Sequence, residues 1–307
     1  MTEDDCIAVM RERNKRFNTE ESGILGRGFA PRPTDVFVTT YPKCGTTWVT
    51  QICHSLRSGG DMDFKEITEV CPWDVMALDC GEDLDAQHVA NPRVWKSHEP
   101  FWAIAKNRDH PAKYIHVARN PLDAFISFYH FLPNYMVIPE GKITMEGFAN
   151  SVFAGVSNSG QIWDYFMSWL NADATVCRVM WVFYEDLKED LETEIKRIAE
   201  FMEIELDNDL LDTVKHHSSF EFMRDHANQF DDHFVFDAIK DRLGIPPLEI
   251  ATQHRVGKVR SNGGKIGDRN VLPPLVRDLL EKKWNDVILA QTGCATYDEF
   301  KKYQKQK

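Results

Sequence analysis

The sequence predicts an α/β fold in which one domain is built around a central parallel β-sheet. Short β-rich segments alternate with segments of helical periodicity, a pattern typical of a parallel sheet with helices on both faces. The 307 residues, 43% of them hydrophobic, are enough for one large domain, and no linker divides them. We therefore expect one domain over residues 1–307, with its core at 35–284 and residues 1–34 packed on it as an N-terminal extension.

The elements follow one another in a regular order. The predicted strands are DVFVTT (35–40), RVWK (93–96), KYIHVA (113–118) and RVMWVF (178–183). After the first strand, Trp48, Ile52 and Leu56 recur at helical spacing. After the third, Pro121 stands at a suitable first helical position. After the fourth, an apolar stripe predicts a further helix through Leu191, Ile195, Ile198 and Met202.

Polar residues follow directly on these predicted strands. Ligands of parallel α/β sheets bind beyond the carboxyl ends of the strands, so functional side chains are expected there. The residues at these ends are Lys43, Lys96, Ser97, His98, Arg119 and Tyr184. They come from all four strands, and the sequence therefore predicts one site along one edge of the sheet.

Composition and charge exclude several classes of function. The net charge of −12 argues against nucleic acid as a partner. Seven scattered cysteines, without CxxC spacing, argue against a disulfide framework or a zinc site and fit a reducing cytoplasm. The start MTEDDC lacks the features of a signal peptide, and no apolar run approaches ~20 residues. We expect a cytoplasmic protein that neither spans a membrane nor holds a metal.

The segment TTYPKCGTTWVT (39–50) joins the first strand to the first helix, where backbone N–H groups and the helix dipole attract an anion. Gly45 allows the backbone to approach that anion closely. Lys43 adds a positive charge, and Thr46 and Thr47 add hydroxyl donors. In the triphosphate motif GxxxxGK[ST] the lysine follows the glycine, whereas here it precedes the glycine. The loop therefore suits an anion closer to a single phosphate than to a magnesium-bound triphosphate.

YPKCGTTW (41–48) resembles the 5′-phosphosulfate-binding loop of the cytosolic-type sulfotransferases, and ordered motifs extend the resemblance from about residue 35 to 284. That family transfers a sulfuryl group from 3′-phosphoadenosine 5′-phosphosulfate (PAPS) and releases 3′-phosphoadenosine 5′-phosphate (PAP). The resemblance implies a P-loop-like, nucleotide-kinase-like sulfotransferase fold. It also implies donor contacts from Lys43, Cys44, Gly45, Thr46, Thr47 and Trp48. The family usually has Ser or Ala in place of Cys44, and we expect no nucleophilic role for this cysteine.

NPRVWKSHEP (91–100) resembles a family segment, PR–KTH–P, whose lysine and histidine line the reaction centre. Lys96 and His98 take those positions, and Ser97 replaces the threonine. Residues i and i+2 of a strand face the same side, and a histidine can take a proton from an acceptor hydroxyl near neutral pH. We therefore predict His98 as the general base, with Lys96 and Lys43 as further catalytic groups.

Two more stretches resemble the family's donor-binding segments. HVARNPLDAFISFYHF (116–131) resembles the segment that binds the 3′-phosphate, which implies contacts from Arg119 and Ser127. The planar guanidinium of arginine suits phosphate because it can donate two hydrogen bonds at once. VFYEDLKED (182–190) and HHSSFEFM (216–223) resemble the nucleoside-binding stretches. They imply contacts from Tyr184, Ser218, Ser219 and Phe220, with the purine stacked between Trp48 and Phe220.

HRVGKVRSNGGKIGDRN (254–270) carries a strong excess of Lys and Arg, which indicates an anion site in an acidic protein. Its glycines predict a flexible loop able to close over that site. The ending KIGDRN resembles the family signature RKGxxGDWKN. The resemblance implies 3′-phosphate contacts from Arg260, Ser261, Asn262, Gly263 and Gly264. A competing alignment through Arg255 stays open.

EVCPWDVMALDCGEDLD (69–85) is predicted to form one wall of the acceptor site, and Trp73, Met76 and Phe101 offer apolar and aromatic surface. The acids of this stretch allow two interpretations, a solvated acidic loop or a site for a cationic natural product. We expect the acceptor to be a small-molecule alcohol, phenol or amine.

The dimer motif of animal family members, KxxxTVxxxE, is absent, since RNVLPPLVRDLL (269–280) stands in its place. We expect a monomer, or a dimer that uses another surface. Two other functions compete. A magnesium-dependent phosphotransferase needs a Walker lysine and a metal-binding acid, and no convincing pair is present. A regulator without chemistry predicts loss of Lys96 and His98, yet both are present.

Overall fold

A four-stranded parallel sheet forms the centre of the molecule, in the order β2-β1-β3-β4. The computed structural model describes residues 1–155, 160–246 and 269–307. The strands are β1 (Val36–Thr40), β2 (Val94–Ser97), β3 (Lys113–Ala118) and β4 (Arg178–Phe183). Their bounds lie within one residue of the predicted segments. The predicted α/β fold with a parallel sheet is confirmed.

Helices flank this sheet. They are α1 (Glu3–Lys15), α2 (Glu20–Gly28), α3 (Thr46–Ser58), α4 (Ile67–Val70), α5 (Pro121–Tyr135), α6 (Met145–Phe148), α7 (Ile162–Leu170), α8 (Tyr184–Glu189), α9 (Leu191–Met202), α10 (Asn208–His217), α11 (Phe220–Asp225), α12 (His233–Ile239), α13 (Pro274–Trp284), α14 (Ala290–Thr292) and α15 (Tyr297–Gln306). Shorter 3₁₀ turns include Asp74–Met76 and Leu78–Cys80. Within the described ranges, no helix has the length and apolar character needed to cross a bilayer.

The sheet is buried on both faces. Along β1 the side chains alternate, with Val36 and Val38 in one hydrophobic cluster and Phe37 in the other. The ring of Phe37 stacks on Tyr114, with centroids 5.0 Å apart, and lies parallel to Trp95 at 6.3 Å. Burying each such side chain stabilises the fold by roughly 1.5–3 kcal/mol. Burial on both faces explains why the strands are apolar without strict alternation.

Three strands lead almost directly into helices. Asn120 caps α5 by accepting a hydrogen bond from the N–H of Leu122, and Pro121 takes the first helical position, as predicted. Tyr184 begins α8 immediately after Phe183 ends β4. Because the carboxyl ends of parallel strands lie at one edge, the N-termini of α3, α5 and α8 come together there.

The first two helices pack against the rest of the chain. Arg13 of α1 donates a hydrogen bond of 2.6 Å to the carbonyl of Met136. Gly26 of α2 touches the 3₁₀ turn Asp74–Met76 so closely that a Cβ would lie 2.3 Å from the Asp74 carbonyl oxygen. The predicted wall of the acceptor site is therefore supported from behind by α2. The division between an N-terminal extension and a core at residue 35 stays a prediction.

Candidate functional site

The loop between β1 and α3 has the backbone conformation of an anion cradle. Lys43 and Gly45 both have positive φ angles, of 71° and 109°. Gly45 occupies the N-cap position of α3 and provides no side chain to cap the helix. The first N–H groups of this 13-residue helix therefore lack a side-chain acceptor at the cap, which is the arrangement that binds phosphate at helix N-termini. Lys43 as a left-handed, non-glycine residue marks local strain of the kind found at functional sites.

Arg119 and Tyr184 close this loop from the ends of β3 and β4. The guanidinium of Arg119 lies 4.2 Å from the Tyr184 ring centroid and donates a hydrogen bond of 3.0 Å to the Lys43 carbonyl. A Cβ on Gly45 would lie 2.9 Å from Cδ2 of Tyr184, so only glycine fits there. Nε of Arg119 is buried without a hydrogen-bond partner among the described residues. A phosphate oxygen would satisfy it, and the residues present therefore fit an anionic donor.

Trp48 connects the loop to the segment before α11. Its indole N–H donates a hydrogen bond of 2.7 Å to the carbonyl of Ser218, and its ring meets Tyr184 edge-on at 5.5 Å. Ser219 caps α11 by accepting from the N–H of Phe222, while Ser218 is fully buried. These contacts bring Trp48, Tyr184 and Ser218 together. The purine sandwich between Trp48 and Phe220 stays a prediction, as does a phosphate contact from Ser127, which is buried on α5.

His98 follows β2 and lies beside the end of β1. Its Nδ1 is 2.8 Å from the carbonyl oxygen of Thr40 and 3.2 Å from the Thr40 hydroxyl. Because a carbonyl oxygen only accepts, Nδ1 carries the proton and the lone pair of the neutral ring lies on Nε2. The Thr40 hydroxyl also bonds to Thr46 at the start of α3. The predicted base and the anion loop are thus joined by a short hydrogen-bonded chain.

Lys96 and Trp73 complete the arrangement around His98. Trp73 meets the His98 ring edge-on at 4.9 Å, and the ammonium of Lys96 lies 4.1 Å from the Trp73 ring centroid. Lys96 is buried and paired with Asp232, Nζ to Oδ1 at 3.0 Å. Lys43 extends over the ring of Phe131 at 3.8 Å. Of the three predicted wall residues, Trp73 is the one in direct ring contact with His98.

Met76 and Phe101 have other neighbours. Met76 is fully buried in a small cluster with Val235 and Ile239 of α12. Phe101 packs edge-on against Trp169 of α7 at 5.6 Å, and its N–H donates to Ser168. Their contact with an acceptor stays a prediction.

Aromatic residues that sequence reasoning missed surround Trp73 instead. Phe17 lies 5.2 Å from Trp73 and 6.0 Å from Tyr135, and Tyr135 meets Phe131 at 5.1 Å and Phe236 at 5.6 Å. Phe17 precedes α2 and Phe236 belongs to α12, so these rings come from distant parts of the chain. Among these rings, only Phe131 could have been proposed from the sequence, because it ends the motif at 116–131.

Three acids of the stretch 69–85, Asp74, Asp79 and Glu82, are paired or buried, whereas Asp83 and Asp85 are exposed. Asp79 pairs with Arg242 at 2.9 Å and accepts hydrogen bonds from Thr19. Asp74 is buried, and desolvation, with a smaller effect from nearby Glu99, raises its pKa to about 8. Burial likewise raises the pKa of Glu82 to about 8. The stretch therefore carries less free negative charge than its composition indicates.

Cys44 is fully buried, and its thiol has a pKa raised by desolvation to about 12. A thiol in this state is not a nucleophile near neutral pH. Among the residues that the structure describes, no group of three or more His, Cys, Asp or Glu side chains could hold a metal ion.

Residues 254–268 of the glycine-rich basic segment lie outside the described residues. This applies to Arg255, Arg260, Ser261, Asn262, Gly263 and Gly264, whose contacts stay predictions. Arg269, near the end of this segment, is described and pairs with the buried carboxylate of Asp123 on α5 at 2.8 Å. The described end of the basic segment therefore lies against the helix that begins two residues after Arg119.

Comparison with known proteins agrees with this geometry. Residues 33–235 match the family model of the sulfotransferase domain. Mouse sulfotransferase 1 family member D1 is 30% identical over 213 residues, covering 65% of this chain and 69% of that protein. Rabbit amine sulfotransferase is 33% identical over 203 residues, covering 64% and 65%.

Solved structures show the same fold. A mouse sulfotransferase complexed with PAP has a TM-score of 0.63 at 21% identity, over 90% of this chain and 92% of that one. Retinol dehydratase in complex with androsterone and inactive cofactor PAP has a TM-score of 0.64 at 20% identity, over 88% and 84%. Because the domain model matches about two thirds of its length, the chain belongs to the sulfotransferase family.

Proposed function

We propose that this protein transfers the sulfuryl group of PAPS to a hydroxyl or amine of a small molecule and releases PAP. The observation that carries the proposal is that the anion loop after β1 and the imidazole of His98 after β2 are joined through Thr40. A single residue, Thr40, therefore connects the proposed donor site to the proposed base. The PAP-bound sulfotransferases of the same fold support PAPS as the donor.

Donor binding would use the edge of the sheet from β1 to β4. The N–H groups at the start of α3, with Lys43, would hold the 5′-phosphosulfate, since the helix dipole and the lysine both favour negative charge. The guanidinium of Arg119, with Ser127 and the basic segment 254–270, would hold the 3′-phosphate. The adenine would stack between Trp48 and Phe220, with Tyr184, whose ring meets Trp48 at 5.5 Å, reaching it as well.

His98 would take the acceptor proton on Nε2 while Nδ1 stays bonded to Thr40. The acceptor oxygen or nitrogen forms a bond to sulfur as the bond from sulfur to the phosphate oxygen breaks, and negative charge develops on that leaving oxygen. Lys43 and Lys96 would stabilise this charge, as cations do in phosphoryl transfer. A sulfuryl group carries less charge than a terminal phosphoryl group, so the lysines suffice without a metal ion.

The contacts favour an uncharged acceptor over a cationic one. Asp79 is paired with Arg242, Asp232 is paired with Lys96, and the pKa of Asp74 is raised to about 8 by burial. These acids offer little net charge to a cation. The rings around Trp73 instead offer apolar, aromatic surface to a phenol, an alcohol or an uncharged amine. A cytoplasmic location and a monomeric state, or a dimer through another surface, remain part of the proposal.

The proposal is tested by incubating the protein with sulfur-labelled PAPS and a panel of matched neutral and cationic alcohols, phenols and amines. We expect label transfer to neutral acceptors, with and without EDTA. Arg119→Ala should weaken PAP binding by about tenfold or more in calorimetry, because a charged hydrogen bond is lost. The exposed Arg178→Ala is the matched control. No transfer to any acceptor, combined with no binding of PAP, would overturn the proposal.

A further inference from the structure

The ion pair between Lys96 and Asp232 joins the end of β2 to the residue before α12, across 136 positions of sequence. Both side chains are almost fully buried, with exposed fractions of 6% and 5%. The ammonium of Lys96 also lies over Trp73, whose ring touches His98. Asp232 therefore holds a buried positive charge against the same Trp73 ring that the candidate base contacts.

A contribution to stability does not by itself explain why this ion pair is buried. Burying two charges costs several kcal/mol of desolvation each, and an apolar pair of the same size is often at least as stable. Asp232 also has φ 66° and ψ 18°, in the left-handed region that a non-glycine residue adopts at a cost. Neighbouring bonds hold this conformation, since Asp231 accepts from the N–H and the ring of His233. Strain and buried charge at one position indicate a functional constraint.

We propose that Asp232 is a positioning residue that holds the ammonium of Lys96 over Trp73, whose ring contacts His98. The assignment rests on the proposed function, in which Lys96 acts at the reaction centre. With its charge balanced by Asp232, Lys96 stays in the apolar pocket in one orientation. Without that carboxylate, the buried ammonium would turn toward water or toward other acceptors, and it would no longer face the leaving oxygen.

Glu203 provides a control within the same chain. It also has a positive φ, 63°, and it pairs with a buried lysine, Lys113, at 3.0 Å, although its own side chain is 60% exposed and also pairs with Arg178. Lys113 begins β3, so this pair lies at the opposite edge of the sheet from His98. Asp232→Asn and Glu203→Gln each remove one carboxylate charge and keep the size of the side chain. Asparagine is also tolerated in the left-handed region.

The experiment measures kcat, the KM for PAPS and melting temperature. We expect Asp232→Asn to lower kcat by roughly tenfold to a hundredfold with little change in the KM for PAPS. Asp232→Glu, which keeps the charge, should recover part of that loss. Glu203→Gln should leave kcat within about twofold, whatever its effect on melting temperature.

A double variant separates positioning from a structural role. If Asp232 acts through Lys96, Lys96→Met with Asp232→Asn should be no slower than Lys96→Met alone. This variant removes both charges of the buried pair together, so it should fold even where Asp232→Asn does not. The assignment would be overturned if the double variant were slower than Lys96→Met by the same factor that Asp232→Asn loses, or if Asp232→Asn kept full kcat. Either result would leave the proposed function standing. Absence of both transfer and PAP binding in the unchanged protein would overturn the proposed function, and the assignment with it.

Discussion

The Nδ1 atom of His98 lies 2.8 Å from the carbonyl oxygen of Thr40, so the ends of two neighbouring strands are joined at the candidate reaction centre. Thr40 continues this connection, because its hydroxyl bonds to Thr46 at the start of α3. The imidazole is thereby held in one tautomer and one orientation. Such fixed geometry is what general-base catalysis requires.

Replacing His98 by alanine should lower kcat by about 10²–10⁴-fold, since a general base contributes that much to rate. PAP affinity should change little, because the proposed donor site lies at the ends of β1, β3 and β4. Label transfer and calorimetry measure the two quantities. The exposed His110→Ala serves as control and should behave like the unchanged protein. Comparable kcat values for the two variants would show that His98 is not the general base.

Replacing Gly45 by alanine should weaken PAP binding and reduce stability by at least about 1 kcal/mol. The new methyl group would meet Tyr184 at 2.9 Å and would also require φ 109°. Gly59, at the other end of α3, has φ 69° and open space around it. Gly59→Ala should therefore cost stability without changing PAP affinity. Equal PAP affinities in both variants would contradict the cradle at Gly45.

Replacing Cys44 by serine should leave kcat within about threefold, because a buried thiol whose pKa is raised to about 12 supplies no thiolate. Treatment of the folded protein with iodoacetamide, followed by mass spectrometry, should leave Cys44 unmodified. Loss of all activity in the serine variant would show that this thiol takes part in the reaction.

Asp74 should make the protein less stable as pH rises. Its carboxyl has a pKa of about 8 in the folded protein because of burial, against an ordinary value of 3.8. Between these values the folded state holds a proton that the unfolded state has lost, so stability is complete below pH 4 and declines up to about pH 8. The slope from this one group is at most about 1.4 kcal/mol per pH unit.

Urea unfolding at a series of pH values measures this effect. Asp74→Asn should flatten the decline between pH 4 and 8, while Glu82, whose pKa is also raised by burial, continues to contribute. The exposed Asp109→Asn is the control and should keep the original slope. An unchanged slope in Asp74→Asn would show that this carboxyl is ionised in the folded protein.

The sequence sufficed for the parts of the fold that local patterns determine. All four strands, the helix after Gly45 and the start of α5 at Pro121 follow from periodicity and capping. The partners of Lys96 and Trp73 did not follow. Asp232 and Phe17 reach them through tertiary contacts over long separations, and a pattern of neighbouring residues carries no information on such pairs. The prediction that Met76 belongs to the wall of the acceptor site rests on its apolar character alone. That character is equally consistent with the buried cluster in which Met76 lies.

The strand order β2-β1-β3-β4 also divides the edge of the sheet between two tasks. Residues proposed to bind the nucleotide follow β1, β3 and β4, which are the inner pair and one border strand. Lys96 lies on β2, the opposite border strand, and His98 follows directly after it. Trp73 forms a single parallel β-bridge with Lys96. On the proposed assignment, we expect changes in the segments that cover β2 to alter which acceptor is used while leaving nucleotide recognition intact. Acceptor preference and donor preference would then vary independently.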